Sequence, residues 1–320
     1  MTFARQRAVL DVTKRLAVAV CIHYRRFVIS TLTLAAAHAA MPLAIADTPQ
    51  ASSNRAAHDE AMRAIPWQQI APPDRRAAQF VVKNASIYRR LPTRVIDCDP
   101  DMFTFLLQHP EVVIDVWRVL GVSQVALDKL PNGAYRGSDG AGTVGTVRFL
   151  HADWGPHAHN TAVVFAEGTY DGKPLVTQLK AQSVLLLRSG AVQETNGRHY
   201  ITVRVDSFMK IEQMGLELVA KTVQPWISKT ADRNFIETLS FVSNFSRSAE
   251  QNPHGIERLA TRLSTVDGPT RNELVALSFR TAERYAQHDA AHSSATLVAQ
   301  RSNATDAEWI GPVAATPTTR

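Results

Sequence analysis

Cysteine is nearly absent from the chain. Cys21 and Cys98 are the only two among 320 residues, which excludes a disulfide framework and any thiolate-rich metal site. The body of the chain also lacks an excess of either charge. The formal net charge is +6, yet Arg5, Arg7, Lys14, Arg15, Arg25 and Arg26 face Asp11 alone within residues 1–46, leaving 29 basic and 28 acidic side chains for the rest. Arg75-Arg76 and Arg89-Arg90 are isolated basic pairs with no aromatic interleaving, so a nucleic-acid partner is not expected. There is no internal repeat, no Gly-x-Ser-x-Gly elbow, and neither a His-Arg-Asp nor an Asp-Phe-Gly motif. Apolar residues make up 45% and charged residues 20%, the balance of a folded chain.

What is present begins with an address. Arg25-Arg26 precede the uncharged run Phe27–Ala46, which ends in Ala44-Ile45-Ala46. A basic region, an apolar region and a small-x-small site in that order predict a signal peptide over 1–46, cleaved after Ala46, and a secreted or periplasmic protein. An N-terminal membrane anchor is the alternative, although His38, Pro42 and the many alanines make a poor span.

Residues 47–86 read as a linker with short helices, broken by Pro66 and Pro72-Pro73. Ile87–Cys98 reads as a strand, with Cys98 as a small apolar side chain. Asp99-Pro100 then predicts an N-cap with proline in the first turn, and His109-Pro110 opens a second helix. From Ser123 to Ile211 the signals are those of antiparallel strands, with hairpin turns at Tyr170-Asp171-Gly172 and Thr195-Asn196-Gly197. Alternation along Leu175–Leu187 and Ile201–Ile211 predicts one apolar, covered face and one wet face. Over 212–248, Leu216, Val219, Val223, Ile227, Phe235, Leu239 and Val242 recur at threes and fours, the pattern of a long amphipathic helix divided at Pro225. Residues 251–290 form a helical extension, with one short helix to Leu263 and another to about Gln287. Residues 291–320 read as a disordered tail.

This order resembles the helix-grip fold of the START-like superfamily, which includes lipid-transfer domains and polyketide-cyclase-like proteins. Asp99-Pro100-Asp101-Met102-Phe103, Tyr135-Arg136-Gly137-Ser138-Asp139 and the helix following Val203-Arg204-Val205-Asp206 carry the likeness, over about residues 87–248. The resemblance implies an α+β domain at 87–250, a curved antiparallel sheet wrapped around a long C-terminal helix, with additional C-terminal helices.

Three motifs compete for a chemical role. Gly140-Ala-Gly142-Thr-Val-Gly145 matches a nucleotide fingerprint, but a strand-like segment follows it where a helix is needed, so it reads as a strand connection. Asp97, Asp99 and Asp101 are spaced like a calcium loop, yet Met102 and Gln108 stand where Gly and Glu are required, and helix capping explains the acids. In His151-Ala-Asp153-Trp-Gly-Pro-His157-Ala-His159, a turn at Trp154-Gly155-Pro156 would set Asp153 opposite His157 and His151 opposite His159. All four would then share a face with Val147, Phe149, Val163 and Phe165.

The expectation is an exported, non-enzymatic carrier of a lipid or other hydrophobic small molecule held between sheet and long helix. Its walls would be Phe149, Val163 and Phe165 with Leu216, Val219 and Val223, and its rim His151 and His159. No cofactor or metal is called for, transient membrane contact is compatible, and protein partners are undefined. The alternatives are a cyclase- or hydrolase-like enzyme using His151, Asp153, His157 and His159, or a solid-packed interaction domain.

Overall fold

The computed structural model describes residues 50–140, 142–171, 178–195, 197–212 and 224–307. The proposed signal peptide, Leu216, Val219, Val223, Gly172 and Asn196 lie outside them.

Among the described residues two helices come first, α1 (Arg55–Ala64), capped by Asn54, and α2 (Pro72–Lys83), with proline in its first turn. The single strand expected over 87–98 is two, β1 (Ile87–Arg90) and β2 (Arg94–Asp97), because Leu91-Pro92-Thr93 interrupts it. Both pair with different stretches of one partner strand. Helices α3 (Pro100–Gln108) and α4 (Pro110–Val119) follow where the two proline signals place them, and Asp99 caps α3 by accepting from the amides of Asp101 and Met102. Six strands follow: β3 (Ala126–Lys129), β4 (Tyr135–Ser138), β5 (Thr143–Trp154), β6 (Asn160–Tyr170), β7 (Leu179–Gln193) and β8 (His199–Ile211). They build an open, curved antiparallel sheet in the order β1-β8-β7-β6-β5-β4-β3, with β2 beside β1 on β8. The glycine-rich segment joins β4 to β5, with Gly140 and Gly142 at positive φ.

Three helices end the described residues: α5 (Gln224–Gln251), α6 (Pro253–Ala260) and α7 (Gly268–Ala307). Pro225 is the second described residue of α5, and residues 213–223 before it lie outside the described ones, so the expected division at Pro225 lies at the edge of the described residues. Helix α7 continues twenty residues past the Gln287 expected from periodicity.

The sheet has two faces with different fates. Paired residues of an antiparallel sheet point the same way, so Val163, Phe165, Val184, Leu186 and Phe208 share what we call the back face. Helices α1 and α2 cover it, setting Ala57, Ala61, Ile65, Ile70, Ala78, Val81 and Val82 into a dry core with those side chains. This corrects the expectation of a wet face. At its centre the polar residues are internally paired, while Asp153, Lys180 and Thr202 stay exposed toward the margins. Asp206, with no exposed surface, accepts from the Tyr88 hydroxyl (2.7 Å), Arg90 Nε (2.7 Å) and Arg188 Nη2 (3.1 Å). Glu60 of α1 joins both arginines. Burial alone would raise the Glu60 carboxyl, but Arg188 and Arg90 more than offset it and hold it below its ordinary value.

Among the described residues, the front face meets the C-terminal helices at one end. There Ile96, Ile201 and Val203 join Met102, Phe103, Phe105, Leu106, Val112, Val116, Leu239, Val242, Phe245 and Leu274 in a second core. Helix α5 is tied along the β1–β2 edge. Arg89, paired with Ser207, makes a two-pronged ion pair with Asp232, Ser243 Oγ donates to the Asp97 carbonyl (2.7 Å), and Ser246 Oγ accepts from the Asp99 amide (2.9 Å).

Candidate functional site

Register sets the front face out in rows. Val205, Leu187, Ala162 and Ala152 form one row, Ser207, Leu185, Val164 and Phe149 the next, and Met209, Ser183, Ala166 and Val147 the third. Val147, Phe149, Val164, Leu185, Leu187 and Met209 are only half-buried, whereas the back-face Val163, Val184, Leu186 and Phe208 have no exposed surface. Of those six, only Met209 packs against a buried cluster, a small one formed by Ile87 and Ile211 at the far end. Phe149 meets the Trp154 indole edge-on at 5.9 Å. The result is a shallow apolar floor beside α5, about 20 Å long from Val205 to Ile211, with Ser183 and Ser207 as its small polar members.

A bulge decides which expected residues reach this floor. The pairing of β5 with β6 slips between Phe149 and His151, so that Leu150 is an extra residue. Phe149 therefore lies on the front face, while His151 (paired with Val163) and Asp153 (paired with Thr161) lie on the back face. Val163 and Phe165 are buried in the back-face core. Of the described wall candidates, only Phe149 stands on the front floor.

The histidine hairpin also differs from expectation. Its closing pair is Trp154–Asn160, which leaves a five-residue loop in place of three, so Asp153 does not oppose His157. His157 and Ala158 both take φ near +53°, a left-handed turn rarely tolerated by residues with a Cβ. His157 is exposed, and the His159 ring lies against the backbone of Gly190, where a Cβ would meet it at 3.1 Å. Among the described residues, no group of three His, Cys, Asp or Glu side chains is placed to hold a metal ion.

A second, polar pocket of about 190 Å³ opens where β2, the β7–β8 hairpin, α5 and α7 meet. Arg198 grips Asp97 with two hydrogen bonds of 2.9 Å and reaches Glu250 at 3.3 Å, while Arg284 bridges Asp99 (2.7 Å) and Asp101 (2.9 Å). Burial pushes the Glu250 carboxyl up, Arg198 opposing and Asp97 and Asp99 reinforcing, and burial lowers His199. Cys98 lies buried at the pocket's base, and burial raises its thiol far above the ordinary value, so it is an inert core residue. The carboxylates singled out for capping thus have a second duty, as anchors for Arg284. Proximity across 185 residues leaves no mark in a local pattern, so sequence reading missed it.

No protein-family model matches the chain, and no curated protein is similar to it.

Proposed function

We propose that the protein is an exported, non-enzymatic carrier that holds a lipid or another hydrophobic small molecule on the front face of its sheet, beside α5. The observation that carries this is the contrast between faces. The centre of the back face is packed dry by α1 and α2, with Val95, Val144 and Val192 exposed toward its margins, whereas the front rows keep Val147, Phe149, Val164, Leu185 and Leu187 half-buried on one contiguous floor at the middle of the sheet. A ligand lying there would gain roughly 25 cal/mol for each Å² of apolar surface removed from water. The polar groups of these rows, Ser183 and Ser207 with the Arg89–Asp232 ion pair at the β1 edge, are few, which suits a site whose affinity is mainly apolar. The helix-grip resemblance supports the same placement, between a curved sheet and a long helix. The signal-like residues 1–46 support delivery outside the cytoplasm.

A neutral environment-sensitive dye such as Nile red tests it. Saturable binding with one site per chain is expected, and Leu185→Lys is expected to abolish it while the circular dichroism spectrum stays unchanged. Binding absent in the unmodified chain, or unaffected by Leu185→Lys, would refute the placement.

A further inference from the structure

Among the described residues, Arg94 is the partly buried sheet arginine without an ionic partner. It stands on β2 opposite Val203, on the same face as the apolar floor and one row beyond Val205–Leu187. Its Nε is buried and has no hydrogen-bond partner. The other sheet arginines differ: Arg89, Arg90, Arg148, Arg188 and Arg204 each meet a carboxylate. Arg94 is partly exposed, but a guanidinium is charged at every accessible pH, so a buried Nε–H with neither an acceptor nor a counter-charge is unfavourable. The neighbouring Thr93, 7% exposed, also keeps a buried hydroxyl with no hydrogen-bond partner. Two adjacent residues at the β1–β2 break thus hold donors with nothing to donate to, at the helical end of an apolar floor.

From this we infer that Arg94, with Thr93, receives the anionic head group of an amphiphile whose apolar chain lies along the front rows. This rests on the front-face site proposed above and adds to it the class of ligand. The head would be a carboxylate or phosphate, which a guanidinium binds with paired hydrogen bonds. The tail would run from Val205 toward Ile211, about 20 Å of strand. The orientation follows from charge, since Arg89 in the Ser207 row is neutralised by Asp232 and the opposite end of the floor ends in Ile211, Ala181, Gly168 and Gly145.

Displacement of Nile red from the purified chain separates this inference from the site itself. Palmitate and hexadecanol share a tail and differ in the head. Palmitate is expected to displace the dye at about tenfold lower concentration, the effect of one charge-assisted contact. Arg94→Gln is expected to erase that advantage while leaving hexadecanol unchanged. Arg94→Lys should keep part of it, and Thr93→Val should narrow it, so the test survives if one variant fails to fold. Equal displacement by acid and alcohol, or an advantage that persists in Arg94→Gln, overturns the head-group assignment and leaves the apolar site standing. Inorganic phosphate should not compete; if it displaces palmitate, Arg94 is a simple anion site and the amphiphile is wrong. Displacement by neither long-chain probe refutes the front-face site, and this inference falls with it.

Discussion

Leu185 and Leu186 are neighbours in β7 that point to opposite faces, and truncating each in turn reads out how those faces are packed. Leu186 is fully buried between β6, β8 and helices α1 and α2, alongside Val163 and Phe208. Leu186→Ala removes its transfer free energy and leaves a cavity walled by close-packed neighbours, a loss of about 3 kcal/mol within the usual 2–5. Leu185 is half-buried on the front floor and belongs to no buried cluster. Leu185→Ala gives up part of the transfer term and encloses no void, so about 1 kcal/mol is expected. At about 2–4 °C per kcal/mol for a domain of this size, the melting temperature falls by roughly 6–12 °C for the first and 2–4 °C for the second. Urea unfolding monitored by circular dichroism measures both, and equal m-values confirm that stability alone has changed. Dye affinity should invert the order, dropping for Leu185→Ala and holding for Leu186→Ala below its transition. Equal losses of stability would mean that the front face is packed as tightly as the back, and the carrier reading would be wrong.

Other consequences follow from the polar interior. Asp206→Asn leaves Arg90 and Arg188 with Glu60 as their remaining counter-charge, and a loss of about 3 kcal/mol in urea unfolding is expected; a loss below 1 would show that the cluster is solvated. Glu250 has its carboxyl raised by burial. Stability linked to it is complete below the ordinary carboxyl value and is lost as pH rises through the raised one. Glu250→Gln should therefore equal or exceed the parent in stability at neutral pH, with the difference closing toward about pH 4; a variant much weaker at pH 7 would show that the Arg198 contact outweighs burial. His157→Gly relieves a positive φ in an exposed turn and should raise stability by about 0.5–1 kcal/mol. If it lowers stability, contacts of the imidazole hold the turn.

Much of the fold was legible because its signals are local. The proline-led starts of α3 and α4, the Asp99 cap, the period of two in β7 and β8 and the switch to a helical period before α5 each lie within a dozen residues. The coarse outcome, an antiparallel sheet followed by helices, agrees with expectation. The site was less legible because it turns on non-local facts. Arg204, Asp206 and Lys210 alternate with apolar residues as in any solvated strand, and nothing in β8 announces that α1 and α2 fold back over them. One extra residue, Leu150, moved His151 and Asp153 off the face that carries Phe149. Arg94 is an ordinary strand arginine in sequence. Only the register and the absence of a facing carboxylate make it informative.

The central claim is that an apolar molecule rests on the front face beside α5, and native mass spectrometry of the gently purified chain tests it most directly. The account predicts a mass above that of the polypeptide by one bound lipid-sized molecule, released on collisional activation and absent from Leu185→Lys. A bare polypeptide mass that stays bare after incubation with palmitate would contradict it.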